Sequence, residues 1–447
     1  MDENRMNEDR TEEKNGRAGK NRFWTGVLAG ALVTALAGLV VVGMSAGIYL
    51  FGRGVMSRQP EAGAQEEEAS GAGENAIDYG RLTSKMKLIE GVIDQYFLYD
   101  KDAQTVEDYT YLGMMAGLGD PYSTYYNERE FQSMMDSTSG EYSGIGAMIS
   151  QNRSTGLCTI VRVYEGTPAM EAGMRPGDII YQVGDVQVAG ESLDVLVNNY
   201  IKGEEGTDVE ITVYRADEDA YVDLTITRRK IEVPTVEYRM EEDSVGYVLI
   251  SEFDGVTVNQ FEEAVDALTD QGMKGLIIDL RSNPGGLLDG AVGMADYILP
   301  DDVDTYEKGE GKTLVLYTAD KNGEGDVYTA SDGHSVDLPI VVLVNEESAS
   351  AAEVFTGALK DYGAARVVGT TTYGKGIVQN VIPLGDGSAI KITTAHYYTP
   401  SGFDLHEKGI EPDVEEDLSA ELKTQAVVDP EEDNQLSRAA EVLKEMF

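Results

Sequence analysis

The pattern of apolar and polar positions changes twice along the chain, and each change marks a boundary between predicted regions. From Tyr79 the apolar residues recur at helical spacing, and a second helix is predicted at about 105–117. The tyrosine-rich segment GDPYSTYYNEREF, residues 119–131, interrupts this pattern and starts another short helix. We therefore predict an N-terminal helical region over residues 78–138.

Residues 139–232 have a different pattern, in which short alternations of apolar and polar residues are separated by Gly, Pro and Asp. Alternation with a period of two residues is typical of β-strands with one buried face. One helix is predicted inside this region, at about 191–201. The region is therefore predicted to be a small, partly open β-barrel.

After Pro234 apolar strands alternate with helices. Strands are predicted at 245–250, 275–280 and 340–344, and the helices that follow them at about 258–270, 287–298 and 350–361. Strands that are apolar throughout and alternate with helices indicate a buried parallel sheet built of βαβ units. Residues 233–420 are therefore predicted to form an α/β core, and the acidic segment 421–447 ends in an amphipathic helix.

Residues 23–51 carry no charge over 29 positions, and about 20 apolar residues suffice to span a bilayer. Basic residues precede this segment, so the positive-inside rule predicts that residues 1–22 stay in the cytoplasm and the rest faces outward. A cleaved signal peptide is the alternative, although its apolar core is usually about 7–15 residues long. We predict an uncleaved transmembrane signal anchor, a single-pass protein of the cell membrane, and a flexible linker at 52–77.

The composition excludes several classes of partner and site. With 80 acidic and 35 basic residues the formal charge is −45, and binding to a phosphate backbone requires clustered Lys and Arg. We therefore predict no nucleic-acid partner. The single cysteine, Cys158, excludes an intrachain disulfide and a Cys-based zinc site, and its strand-like surroundings predict core packing. No phosphate-binding loop is present, and no metal or other cofactor is predicted.

Ser350 lies between the strand IVVLV and the next helix. The segment Ser350-Ala351-Ala352-Glu353 has the S-x-x-E form of a capping box, so this serine can be a helix N-cap and nothing more. The end of a parallel strand is also where ligand sites collect, and a helix N-terminus can stabilise an oxyanion. The pattern by itself leaves both interpretations open.

A serine nucleophile needs a base, and two kinds are available. The chain has three histidines, His334, His396 and His406, but no G-x-S-x-G elbow. Lys375 lies between two glycines, which suggests a close backbone approach or unusual dihedral angles that aim its side chain. It can act as a base only if its pKa falls about three units below ~10.4, which burial can achieve. Gln379 could orient its amine by hydrogen bonding.

Two glycine-containing segments and one S-x-x-K match each have two interpretations. Residues 280–291, LRSNPGGLLDGA, are either a tight turn or a backbone wall whose N–H groups complete an oxyanion hole. Residues 143–149, SGIGAMI, are either a hairpin turn or a loop that captures the C-terminal carboxylate of a peptide. Residues 84–87 match S-x-x-K, but we interpret them as helix surface.

Together these segments resemble the carboxyl-terminal processing peptidases, serine proteases of the tail-specific type. The resemblance extends from about residue 78 to the C-terminus. It runs through GDPYSTYYNEREF, GIGAMI, EGTPAMEAGMRPGDIIYQVGD, LRSNPGGLLDGAV, VLVNEESASAAEVFTGALKDYGAARVVGTTTYGKGIVQ, ITTAHYYTPSG and KGIEPDV. It implies a crotonase/ClpP-like α/β core, an inserted PDZ domain at 139–232 and an N-terminal helical part used for dimerisation. A homodimer or a higher homo-oligomer is therefore expected.

The resemblance also implies which residues act. Ser350, the second serine of the S-A-S box, matches the nucleophile, Lys375 the general base and Gln379 the amide that orients the base. Glu353 has a supporting role. The implied oxyanion-hole residues are Ala351 and either Gly285 or Gly286, and the implied peptide-binding residues of the PDZ domain are Gly144, Ile145, Gly146, Ala147 and Met148.

The sequence thus predicts a membrane-anchored serine endopeptidase that recognises substrate C-termini through its PDZ domain. A Ser–Lys dyad hydrolyses the peptide bond through an acyl-enzyme, and the partners are proteins or peptides with free C-termini. One alternative is a catalytically inactive scaffold with a PDZ domain, which has no need of Ser350, Lys375 and Gln379. The other is a binding protein for small apolar ligands, which leaves Lys375 and the carboxylate loop unexplained.

Overall fold

The computed structural model describes residues 76–152, 154–188, 191–425 and 428–447. The described residues separate into two compact units, and the division follows Asp100. The predicted cytoplasmic tail and anchor, residues 1–51, and the predicted linker up to residue 75 lie outside the described ranges.

The predicted fold class is corrected in one component, the transmembrane helix, which the part of the chain that the structure describes does not contain. Among the residues that the structure describes, no helix is both long and apolar enough to cross a bilayer. The longest described helix, α1 (Tyr79–Tyr96), has 18 residues, but charged side chains at positions 81, 85, 87, 90 and 94 interrupt its apolar pattern. The fold is therefore corrected to a mixed α/β architecture with a β-rich domain.

Helix α1 forms where the apolar spacing predicts it. The Asp78 carboxylate caps its start by accepting the backbone N–H of Arg81 at 2.9 Å. None of its residues is buried.

The rest of the N-terminal helical region lies in the second unit. It consists of α2 (Ala103–Ala116), β1 (Thr124–Tyr126) and α3 (Glu128–Ser139). Asn127 and Glu130 form a capping box at the start of α3, with N–H to side-chain distances of 3.0 and 3.1 Å. The two predicted helices are confirmed, but strand β1 was not predicted.

Residues 141–232 form a β-rich region. Its elements are β2 (Glu141–Gly144), β3 (Ala147–Gln151), β4 (Cys158–Val163), α4 (Pro168–Glu171), β5 (Ile179–Val183), β6 (Val186–Gln187), α5 (Leu193–Leu196), a π-helical turn (Val197–Ile201), β7 (Asp208–Arg215), β8 (Ala220–Thr227) and β9 (Arg229–Glu232). An antiparallel sheet has the order β3-β4-β5-β7-β8, with β6 paired to β5, while β2 pairs with β9. Cys158 is fully buried in the core of this region, as predicted.

The remaining residues form the α/β core. Its elements are β10 (Val236–Glu241), β11 (Val245–Ile250), α6 (Thr257–Asp270), β12 (Gly275–Asp279), α7 (Leu288–Ile298), β13 (Leu314–Asp320), β14 (Val327–Thr329), β15 (Ile340–Val344), α8 (Ala351–Asp361), β16 (Arg366–Gly369), β17 (Ile377–Pro383), β18 (Ala389–Tyr398), β19 (Val414–Glu415) and α9 (Asn434–Lys444). Short 3-10 turns lie at Glu242–Ser244, Glu307–Gly309 and Leu422–Thr424.

The predicted parallel sheet has the order β10-β11-β12-β15-β16-β19, and only the edge strand β10 is antiparallel. Every residue of β12 and β15 is buried, because the helices α6, α7 and α8 cover one face and α9 covers the other. Since β12 and β15 are adjacent and parallel, the segments that follow them lie side by side at one edge of the sheet.

A second sheet was not predicted. It has the order β1-β18-β13-β14, and β17 also pairs with β18. Its strands come from positions more than 250 residues apart, as in the pairing of Thr124 with Lys391. This sheet carries the segment after Lys375, so it forms part of the candidate site.

Candidate functional site

Ser350 is the residue that immediately precedes α8. Its backbone has φ 56° and ψ −116°, a conformation that costs a non-glycine residue about 1–3 kcal/mol. The neighbouring turn stabilises it, because Ala349 donates its N–H to the carbonyl of Asn283 at 2.9 Å. Ser350, in this strained conformation, lines a cavity of about 440 Å³.

The first serine of the S-A-S box has a structural role instead. Ser348 is fully buried. Its hydroxyl donates to the carbonyl of Leu280 at 2.7 Å and accepts the N–H of Asn345 at 2.9 Å. It does not line the cavity. Of these two serines, the geometry favours Ser350 as the nucleophile.

Glu353 joins the segment around Ser350 to the segment around Lys375. Its carboxylate is fully buried and accepts the backbone N–H of Ser350 at 2.8 Å. It also accepts the Thr372 hydroxyl at 2.5 Å and the backbone N–H groups of Gly374 and Lys375 at 2.7 and 2.8 Å. A buried carboxylate is stable when hydrogen bonds satisfy it in this way. The sequence predicted only a supporting role, since the capping box gave no sign of the contacts 19–22 residues away.

Lys375 lines the same cavity and is half-buried. Burial lowers the pKa of its amine, the charge of Lys391 lowers it further, and the Glu353 carboxylate acts in the opposite direction. The lysine Nζ lies 5.0 Å from the centroid of the Tyr122 ring. Among the described residues, Lys375 Nζ and the Ser350 hydroxyl form no hydrogen bond with each other.

The glycines beside Lys375 are required by close backbone approach, as predicted. Gly374 has φ +89°, and a Cβ there would lie 2.9 Å from the backbone nitrogen of Lys408. A Cβ on Gly376 would lie 2.6 Å from the backbone nitrogen of His406. The loop that carries Lys375 therefore packs closely against the backbone of residues 406–408.

Tyr397, which the sequence did not single out, lies beside both members of the predicted dyad. Its hydroxyl donates to the backbone carbonyl of Lys375, and Tyr397 lines the same cavity as Ser350. Complete burial raises the pKa of Tyr397 well above its ordinary value, so the phenol is neutral. The only sequence signal was its place in the strand-like segment ITTAHYY.

Gln379 lines the cavity from β17. Its Nε2 donates to the carbonyl of Ile377 in the same strand at 3.2 Å. Within the described residues it makes no hydrogen bond to the Lys375 amine. Its role in orienting that amine stays a prediction.

The turn Asn283-Pro284-Gly285-Gly286 packs directly against Ser350. A Cβ on Gly285 would lie 2.7 Å from the Cβ of Ser350, and one on Gly286 would lie 1.9 Å from the carbonyl oxygen of Phe253. The N–H of Gly285 donates to the Asn283 side chain at 2.8 Å. The N–H groups of Gly286 and Ala351 donate no hydrogen bond to any part of the chain that the structure describes, so these two are the candidate donors to an oxyanion.

Asn283 is a site residue that the sequence analysis missed. It is fully buried, and its amide donates to the carbonyl of Ile250 at 2.8 Å while its oxygen accepts the N–H of Gly285. Its position before Pro-Gly-Gly was the available signal, because Asn often bonds to the backbone two residues ahead in a turn.

None of the three histidines lines the cavity. His334 Nδ1 lies 2.5 Å from the carbonyl oxygen of Tyr297, while the rings of His396 and His406 contact each other with centroids 5.1 Å apart. A histidine base for Ser350 therefore has no geometric support here.

One group of carboxylates among the described residues lies close enough together to hold a cation. It consists of Asp296, Asp301 and Asp332, which do not line the cavity. Backbone N–H groups of residues 331–334 already donate to all three. Such contacts are ordinary in loops, and the cluster has no part in the chemistry of Ser350.

The predicted peptide-binding residues lie together at one edge of the β-rich region. Gly144 ends β2, Ile145 and Gly146 form the connection, and Ala147 and Met148 begin β3. Gly146 has φ +82°, and a Cβ there would lie 2.3 Å from Thr167. Strand β3 is the terminal strand of its sheet, so its outer backbone edge can accept an added strand.

Comparison with known proteins identifies the family. The model of peptidase family S41 matches residues 244–416, and a PDZ domain model matches residues 159–215. The carboxy-terminal-processing protease of Bartonella bacilliformis is 36% identical over 342 residues, which are 75% of this chain and 75% of that protein. The chain belongs to peptidase family S41. The resemblance predicted from the motifs, to the carboxyl-terminal processing serine peptidases, is therefore confirmed.

Two further proteins are similar to this chain. A probable CtpA-like serine protease of Staphylococcus aureus is 37% identical over 345 residues, 77% of this chain. The match spans 66% of that protein, slightly less than two thirds of its length. The solved structure of a photosystem II D1 C-terminal processing protease is 31% identical, covers 75% of this chain and 87% of that chain, and has a TM-score of 0.42.

Proposed function

We propose that this S41 chain is a serine endopeptidase in which Ser350 is the nucleophile and Lys375 the general base. The observation that carries the proposal is that both residues line one cavity and that the buried Glu353 carboxylate bonds to the backbone of both. The lowered pKa of Lys375 supports it, because a larger fraction of the amine is then neutral near pH 7.

The reaction begins when neutral Lys375 takes the proton of the Ser350 hydroxyl. Ser350 Oγ attacks the carbonyl carbon of the scissile peptide bond, and the N–H groups of Gly286 and Ala351 stabilise the oxyanion. Lys375 then gives the proton to the leaving amine, and an acyl-enzyme remains. Water, deprotonated by Lys375, hydrolyses the ester and regenerates Ser350. The flexible lysine side chain has to move from the Tyr122 ring toward Ser350 for the first step.

We also propose that the PDZ domain binds the free C-terminus of a protein or peptide substrate. The open edge of β3 supports addition of the peptide as a strand, and the Gly144–Met148 connection supports capture of the carboxylate by backbone N–H groups. Location outside the cytoplasm and assembly into a homo-oligomer stay predictions.

The test is degradation of an unfolded reporter protein with an apolar C-terminal tail by the full-length chain. We expect the wild type to cleave it, and we expect Ser350→Ala and Lys375→Met each to lose at least about 10³-fold in rate. Amidation of the reporter tail should slow cleavage by about 10–100-fold, because a charge-assisted hydrogen-bond set is lost. A wild type that binds the tail but does not cut it would favour the scaffold alternative, and an active Lys375→Met would reject the dyad.

A further inference from the structure

A second lysine lines the cavity beside the proposed base. Lys391 lies on β18, is half-buried, and its Nζ is 5.7 Å from the centroid of the Tyr126 ring. Within the described residues it forms no ion pair. Lys230, Lys360 and Lys423, by contrast, each pair with a carboxylate at 2.6 to 3.2 Å. In a chain with 80 acidic and 35 basic residues, two unpaired lysines in one cavity need an explanation.

The Glu353 carboxylate, which acts on the charge of Lys375, forms no ion pair with either lysine among the described residues. Glu353 accepts hydrogen bonds from Ser350, Thr372, Gly374 and the backbone of Lys375, so its oxygens are occupied. Two ammonium groups in a partly desolvated site repel each other, and the repulsion falls when one of them releases its proton. Burial also lowers the pKa of the Lys375 amine, which favours the loss of its proton.

The groups around Lys375 are carboxylates, phenols and one further lysine. The titratable and charged groups that face its side chain or line the same cavity are Glu353 on α8, Lys391 and Tyr397 on β18, Tyr122 before β1 with its hydrogen-bond partner Tyr373, and Glu252 and Asp254 after β11. The hydrogen bond with Tyr373 and burial raise the pKa of Tyr122 to about 12, so this phenol is neutral at physiological pH. Of these groups, Lys391 is the positive charge.

We propose that Lys391 is a positioning residue that holds Lys375 in its neutral, base-competent form. The inference rests on the proposed Ser350–Lys375 dyad and assigns to Lys391 no contact with the substrate. Its charge acts through Lys375 alone. A different side chain of the same charge at this position should therefore also keep Lys375 neutral, and an uncharged side chain of the same length should not.

The experiment measures how fast the full-length chain reacts with phenylmethanesulfonyl fluoride between pH 6 and pH 10. This neutral reagent needs no recognition of a peptide. Ser350 Oγ forms the bond to sulfur, fluoride leaves, and Lys375 accepts the hydroxyl proton. The variants are Lys391→Met, which removes the charge, and Lys391→Arg, which keeps it. Lys321→Met, an exposed lysine in the turn after β13, is the control for loss of one positive charge.

We expect Lys391→Met to shift the acid limb of the rate profile to higher pH by about one unit. The rate at neutral pH then falls about tenfold and recovers in alkaline solution. Lys391→Arg and Lys321→Met should keep the wild-type profile. If Lys391→Met fails to fold, as judged by thermal unfolding, the comparison of Lys391→Gln with Lys391→Arg makes the same test.

Two outcomes would overturn the inference. An equal loss of rate at every pH in Lys391→Met would mean that the lysine supports only the structure, for instance by its contact with Tyr126. A profile identical to that of the wild type would mean that its charge does not reach Lys375. Failure of the dyad itself gives a different result, because Lys375→Met would then react as fast as the wild type across the whole range.

Discussion

On one side of the cavity, residues 283–286 and 348–353 hold the Ser350 backbone in a strained conformation through hydrogen bonds between adjacent strand ends. On the other side, residues 372–379 hold the Lys375 backbone, but its amine rests on the Tyr122 ring and bonds neither to Ser350 nor to Gln379 within the described residues. We call these the nucleophile side and the base side. The backbone of the nucleophile is therefore held in one conformation, whereas the amine of the base is free to change its position.

The difference follows from the chemistry that each side performs. An oxyanion hole works only when its N–H donors already point at the place where charge develops, so its backbone has to be fixed. A lysine base has to exchange a proton with three successive partners, namely the serine, the leaving amine and water. A long side chain with a movable amine suits that task, provided that its backbone is fixed.

The largest effect is expected where the two sides meet. Glu353→Gln keeps the shape of the side chain but replaces one accepting oxygen by an amide that faces donor N–H groups. We expect a roughly 10³-fold loss of reporter cleavage and a loss of stability of about 3 kcal/mol, because buried groups that donated to the replaced oxygen are left unpaired. Rate and chemical denaturation measurements check this. Glu347→Gln, an exposed control three residues before Ser350, should change stability by less than about 0.5 kcal/mol.

The opposite result would be a Glu353→Gln chain that folds normally and whose activity falls by less than about tenfold. The two sides would then be held independently, and the capping box at the start of α8 would be the whole role of Glu353.

The sequence predicted the nucleophile side much better than the base side, and the reason is the distance along the chain. Ser350, Ala351 and the strand before them lie in one strand–helix unit, so the apolar pattern and the capping box fix their relation. The turn at 283–286 follows the neighbouring parallel strand, and strand ends in one sheet meet at the same edge. The helices and strands of this part were accordingly predicted to within one or two residues.

The base side depends on pairings that no local pattern contains. The second sheet brings residues 124–126, 314–320 and 377–383 next to β18. The segment AIKITTAHYY was interpreted as strand-like, but alternation does not say which strand will be its partner. Tyr122, Lys391 and Tyr397 were therefore missed, although each lies beside Ser350 or Lys375.

A second prediction acts on the nucleophile side alone. Gly286→Ala introduces a Cβ that would lie 1.9 Å from the Phe253 carbonyl, so the turn has to move and its N–H group leaves the cavity. We expect kcat to fall about 10²-fold while the acid limb of the pH profile stays in place, because Lys375 is untouched. Steady-state kinetics over pH give both quantities.

The matched control is Gly91→Ala in α1, where an added Cβ meets nothing within 4 Å and φ is not positive. It should leave kcat unchanged. A shifted acid limb in Gly286→Ala would contradict the separation of the two sides, because the turn would then control the protonation of the base.

A third prediction concerns the stability of the base side. Burial lowers the pKa of Lys375 in the folded chain, so the unfolded chain binds one more proton between that lowered pKa and about 10.4. The buried amine therefore destabilises the folded chain most at neutral and acidic pH. This destabilisation disappears as the pH rises through this window. We expect Lys375→Met, although inactive, to raise Tm by roughly 2–4 °C at pH 7.

Thermal unfolding at several pH values checks the sign. The gain in Tm of Lys375→Met over the wild type should shrink as the pH rises from 7 to 10. A gain that is constant over this range would come from the apolar methionine alone, and the amine of Lys375 would then carry no penalty for burial.

The smallest expected effect is the release of strain at Ser350. Glycine adopts φ 56° and ψ −116° without steric penalty, but it also makes the unfolded chain more flexible, and the two contributions partly cancel. We expect Ser350→Gly to raise Tm by about 1–2 °C relative to Ser350→Ala, which lacks the same hydroxyl but keeps the Cβ. Neither variant has the hydroxyl, so the difference between them reports the backbone in the folded and the unfolded chain. Equal Tm values would mean that the nucleophile side relaxes when the hydroxyl is removed, and that the strain is not fixed by the turn at 283–286.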